Sequence, residues 1–210
     1  MKKAVLPIII FLLFIGITIL FIFVPPAAII NKLPFINKLT NNATLIVNTI
    51  NSKANIKINE KDYGTTNQKI SDLSEGIYSI KLDRITDSSN VFYDSATFTV
   101  ELTNNTEAII NIEIGPDNII SGYLLYYTKA PKSLDDNGYI TVTADKKDAS
   151  ISIESQQSEA LPIQGKKLSS GEYNIVISKD GYESVEFPVI VRKDLNLNIN
   201  AYLFPIPWTE

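Results

Sequence analysis

The chain has no cysteine and no histidine, and only one methionine and one tryptophan among 210 residues. Without thiols no disulfide can form, so an exported domain of this chain must hold together by packing alone. The thiol nucleophile, the imidazole general base and the usual zinc ligand sets are excluded with them. An excess of charge is lacking too, since 19 basic residues stand against 23 acidic ones. Nothing in the sequence supplies the dense basic face that nucleic acid requires, and no nucleic-acid partner is expected. Long apolar runs are absent everywhere except at one place.

That place is "AVLPIIIFLLFIGITILFIFV", Ala4 to Val24, which contains no charge. About 20 apolar residues cross a bilayer core of ~30 Å as a helix, the only single-segment way to satisfy the backbone in hydrocarbon. Residues 1–24 are therefore expected to form a signal-anchor transmembrane helix. Lys2 and Lys3 precede the run, which favours the N-terminus inside and the rest of the chain outside, although Lys32 and Lys38 on the far flank weaken the bias. A cleaved signal peptide is the competing reading. The run is longer than the roughly 7–15 residues of a signal h-region, and no clear A-x-A site follows it. Residues 25–43 hold three prolines and read as a short extended stalk.

What the rest of the chain has is repetition. "LSEGIYSIKL" (Leu73 to Leu82) returns 95 positions later as "LSSGEYNIVI" (Leu168 to Ile177). In the same register "LIVNT" falls on "ITVTA" and "ANIKI" on "ASISI". Three blocks in one register imply a tandem duplication. Beyond them, matching Tyr93 with Tyr182 and Phe98 with Phe187 requires six extra residues in the first copy, as expected of a hairpin-loop insertion.

Apolar residues recur with period two at Leu45 and Val47, at Ile56 and Ile58, at Tyr78, Ile80 and Leu82, and at Phe98, Val100 and Leu102. Such alternation predicts strands with one buried face. Gly76 and Gly171 occupy predicted turns, and Asp180–Gly181 is a hairpin signal. Each copy is thus expected to be a unit of about six strands, near the lower size limit for a self-sufficient core.

The order of these features resembles the PEGA domain, a short β-sandwich module that occurs in tandem on microbial surface proteins. The second copy supplies Leu161–Pro162, "LSSGEY" and Asp180–Gly181–Tyr182; the first supplies Ala54, Gly64–Thr65–Thr66 and "LSEGIY". Asn67 stands where a proline would be expected, Glu159 replaces a turn glycine, and no glycine precedes Tyr93. The resemblance covers most of residues 44–204. It implies a fold and a vague accessory role at the cell surface, in binding or spacing, with no active site to carry over.

The expected fold class is therefore all-β, with two small tandem β-sandwich (PEGA-like) domains after one N-terminal transmembrane helix. The domains are placed at 44–116 and 139–204, with 117–138 as a linker or extra strand and 205–210 as a tail. Tyr123, Tyr126 and Tyr127 lie in a stretch too apolar for a free linker. Either they pad a core, or with Trp208 of the tail they form a binding patch, since aromatics are large, rigid and polar at one end. The paired carboxylates Asp135–Asp136, Glu60 with Asp62, and Asp145 with Asp148 fall in turns of units too small to enclose a cleft. No catalytic residue, metal site or cofactor is expected.

The expected function is a non-enzymatic binding or spacing role for an extracytoplasmic, membrane-anchored protein. Its partners would be the membrane and either a cell-wall polymer or a surface protein. The alternative is an exported sensor or structural subunit of a membrane complex.

Overall fold

A computed structural model describes residues 42–86, 95–117, 119–132, 134–154 and 156–206. The expected membrane helix and Trp208 lie outside the described residues. Among the described residues, no helix is long and apolar enough to cross a membrane.

The regular structure described is strand throughout. The first copy contributes β1 (Ala43–Thr49), β2 (Ala54–Ile58), β3 (Lys61–Thr65), β4 (Gln68–Leu73), β5 (Gly76–Arg84), β6 (Ala96–Leu102) and β7 (Glu107–Ile114). Then comes β8 (Ile120–Lys129). The second copy contributes β9 (Asn137–Ala144), β10 (Ser150–Ile153), β11 (Glu159–Ala160), β12 (Ile163–Ser169), β13 (Gly171–Ser178), β14 (Val185–Val191) and β15 (Leu195–Tyr202). Among the described residues each copy thus has seven strands where about six were expected. The surplus strands are hidden in sequence because β3 and β11 are solvated edges with no buried alternating face.

The duplication is visible bond by bond. The Gly-x-Tyr tyrosine of each copy donates its hydroxyl to the carbonyl four residues earlier, Tyr78 to Ser74 and Tyr173 to Ser169. Asn59 and Glu154, both at positive φ, bracket the equivalent residues Ser79 and Asn174 by accepting from their N–H groups and donating to their carbonyls. Where the second copy turns on Leu161–Pro162, the first uses Asn67 at φ 65°, a left-handed conformation that asparagine tolerates. Its side-chain oxygen accepts from the Thr49 N–H.

β8 joins the two copies. It pairs antiparallel with β7 on one side and with β15 on the other, giving a seven-stranded sheet in the order β12-β9-β15-β8-β7-β1-β4. Two four-stranded sheets complete the body, β3-β2-β5-β6 and β11-β10-β13-β14. Adjacent residues of a strand point to opposite faces, so β8 serves two cores at once. Leu124, beside Ile110, packs in the first core with Leu45, Ile80 and Leu82; Leu125, beside Ile199, packs in the second with Ile140, Ile175 and Ile177. The two small sheets therefore cover opposite faces of the one shared sheet. Residues 42–206 are not two beads on a linker.

Candidate binding surface along the shared sheet

The three tyrosines of β8 divide between the two faces. Tyr123 stacks on Phe187 of β14, with ring centroids 3.9 Å apart and planes 14° from parallel. Tyr127 is buried, donates its hydroxyl to the Ile190 carbonyl at 2.7 Å, and lies 5.0 Å from the Arg192 guanidinium. Tyr126 points the other way, into the margin of the first core next to Tyr202. The structure brings Tyr123 and Tyr127 together as padding between β8 and β14, and separates Tyr126 from them by the thickness of the sheet. The three tyrosines thus do not share one surface, since Tyr127 is inside and Tyr126 faces the other way; Trp208 lies outside the described residues.

The shared sheet is wider than either cover, and this leaves two creases. On the first face β6 lies over β8, and its Phe98 meets Tyr202 of β15 edge-on at 5.7 Å. Beyond β6 the same face of β15 and β9 carries Asn196, Asn198 and Asn200 with Tyr139, Thr141 and Thr143, none of them in a core. These side chains bond to one another: Thr141 to Asn196 at 3.2 Å, Thr143 to Asn200 at 2.8 Å, Asn196 to Asn198 at 2.9 Å, and Asn198 to Thr128 of β8 at 2.9 Å. These six side chains of β15 and β9, the floor of this crease, are half-exposed and uncharged. Asparagines alternating with Leu197 and Ile199 were the available sequence signal, since only a strand with one solvated face is written that way.

On the second face β14 lies over β15 and β8, leaving the outer side of β7 uncovered. A cavity of about 310 Å³ opens there, lined among others by Asn111, Glu113, Tyr123, Glu183 and Glu186. Among the described residues, no group of three or more Asp or Glu side chains is placed to hold a metal ion.

Burial raises the pKa of the hydroxyls of Tyr126, Tyr127 and Tyr202. Glu101 adds to the rise at Tyr126, Arg192 opposes it at Tyr127, and Asp145 adds to it at Tyr202. These phenols ionise in the unfolded chain near pH ~10 but later in the folded one. Above that pH the unfolded state holds fewer protons, so their contribution to stability is complete below pH ~10 and is lost as pH rises through the raised values. An alkaline absorbance titration should show the phenols of Tyr126, Tyr127 and Tyr202 ionising late. Y126F, Y127F and Y202F should each diminish the late absorbance change; a late change that none of the three variants alters would contradict the burial.

Fold and repeat together define a tandem β-sandwich protein. The family model for the PEGA domain matches residues 42–118 and again 137–206. The chain belongs to the PEGA domain family and carries two copies. A solved structure, "The Bacillus anthracis TIE protein", is similar at 13% identity and a TM-score of 0.27 over 79% of this chain and 34% of that one. The chain thus spans about a third of that protein. No curated protein matches the chain.

Proposed function

We propose that this is a membrane-anchored extracytoplasmic protein that catalyses no reaction and holds its two PEGA modules as one stiff body at the cell surface, in a spacing or binding role. The observation that carries the reading is β8, which pairs on both edges and buries both faces. Separate modules would need only a flexible linker; a strand shared by two cores keeps both modules in a fixed relation. A spacer requires that property and a catalyst does not. The uncharged run Ala4–Val24 supplies the anchor, and the lack of histidine and cysteine leaves little from which to build a general base or a nucleophile.

The cysteine-free chain allows a direct test of placement. Single-cysteine variants K3C and K193C of the full chain would be treated in intact cells or spheroplasts with a membrane-impermeant maleimide. K193C should label in intact cells and K3C only after lysis. The reverse pattern, or labelling of neither before lysis, would sink the proposal. Saturable co-sedimentation of the detergent-solubilised full chain with purified cell-wall polymer would assign the binding role; none would leave the spacing role.

A further inference from the structure

A sheet edge is a row of unpaired N–H and C=O groups, and folded proteins usually block it with lysine, proline, a bulge or shortness. The described sheets have six edges: β4, β12, β3, β6, β11 and β14. β4 pairs with a register shift, has Asp72 at φ 60° and carries Lys69. β12 is bulged and carries Lys166 and Lys167. β3 is bulged and begins at Lys61. β11 is two residues long.

The last two edges are equivalent by duplication, and they differ. In β13, Asn174 turns its backbone N–H and C=O toward Glu154, away from β14. Its partner Pro188 therefore aims its own backbone groups at the free edge, where it has no N–H to offer. Two residues on, the edge carbonyl of Ile190 is capped by the Tyr127 hydroxyl. The β14 edge therefore lacks one donor and has one acceptor capped. In the first copy Ser79 is held toward Asn59 in the same way, so its partner Thr99 also faces the free edge. Thr99 stands in place of Pro188 and Glu101 in place of Ile190. No described residue bonds the edge-facing N–H and C=O of Thr97, Thr99 or Glu101. β6 runs seven residues with no lysine, proline, glycine or bulge.

What could pair there is limited by the floor. A strand added to β6 would lie about 4.8 Å beyond it and about 10 Å above β15 and β9. A second copy paired antiparallel through its own β6 would carry its seven-stranded sheet on the same side, toward the space that β15, β9 and β12 occupy. A single extended segment fits. Its inward side chains would meet Asn196, Asn198, Asn200, Thr141 and Thr143, which are uncharged donors and acceptors, with Tyr126 and Tyr202 along the crease. Outward, Glu101 favours a basic cross-strand neighbour.

We propose that the edge of β6, which no described residue pairs, and the asparagine–threonine floor beside it form a strand-addition site for an extended segment of a partner protein whose inward side chains are uncharged and polar. The site lies beyond the spacing role and does not depend on the anchor. The probe is a fluorescein-labelled heptapeptide of alternating threonine and asparagine ending in lysine, titrated onto the full chain in nanodiscs. Hydrogen exchange would be followed across residues 96–102.

Saturable binding is expected, with protection of the Thr97, Thr99 and Glu101 amides. T99P should weaken binding at least tenfold, and Pro188 at the equivalent position indicates that the sandwich accepts proline there. A peptide N-methylated at alternate amides should fail on the wild-type chain, a result that needs no variant to fold. The proposal is overturned by no saturable binding at millimolar peptide, or by equal binding of the N-methylated peptide or the T99P chain. Self-association of the chain that T99P abolishes would overturn it in favour of a second copy as occupant.

Discussion

Gly122→Ala should destabilise the protein by about 3 kcal/mol or more, the range of a strained dihedral combined with a broken buried ladder. Gly122 sits in β8 at φ 113°, paired with Ile112 on one side and Tyr202 on the other, in the middle of the shared sheet. That φ is disfavoured for any residue with a Cβ. A Cβ built there collides with the Asn111 carbonyl oxygen and lies 2.9 Å from Ile112 Cα, both on the backbone of β7. No rotamer relieves a backbone collision, so β7 and β8 must separate where the two copies are joined. Gly165→Ala is the control. Its φ is also positive, at 59°, but nothing lies within 4 Å of the added carbon. Only the left-handed penalty remains, about 1 kcal/mol. Urea midpoints of the two variants should differ accordingly; equal losses would mean that the close approach of β7 and β8 has no energetic weight.

The shared sheet also marks the limit of what could be read from the residues alone. One-face strands were legible because burial is written as alternation: Leu45 and Val47, Ile56 and Ile58, and Val100 and Leu102 are all inside. β8 is covered on both faces over much of its length, so "GYLLYY" shows no alternation. An apolar run of that kind is compatible with a core strand, a pad or an aromatic patch. Which face each tyrosine takes depends on pairing register, and register is a property of three strands together. The solvated strands β3 and β11 were silent for the opposite reason, having no buried face to write. The difference between the β6 and β14 edges was in the sequence all along, as Thr99 against Pro188. It acquires meaning only when Ser79 and Asn174 fix which way those backbone groups point.

Leu124→Ala and Leu125→Ala, adjacent in sequence, should each cost about 2–5 kcal/mol by opening cavities in different cores. Leu124 is 1% exposed among the first-core residues and Leu125 is 4% exposed among the second. Their side chains leave opposite faces of β8 and share no core, so the double variant should lose close to the sum of the two. The shape of the transition is the more informative readout. If the copies were independent modules, Leu124→Ala would shift the melting of the first only, and two transitions would separate. In the shared sheet, loss of either sandwich strips one face of β8 and frees a ladder that the other sandwich uses. Both variants should therefore unfold in a single urea transition with a lower midpoint and an unchanged slope, because the same surface is exposed each time. A biphasic curve for either variant would show that the cooperativity of the body stops at β8.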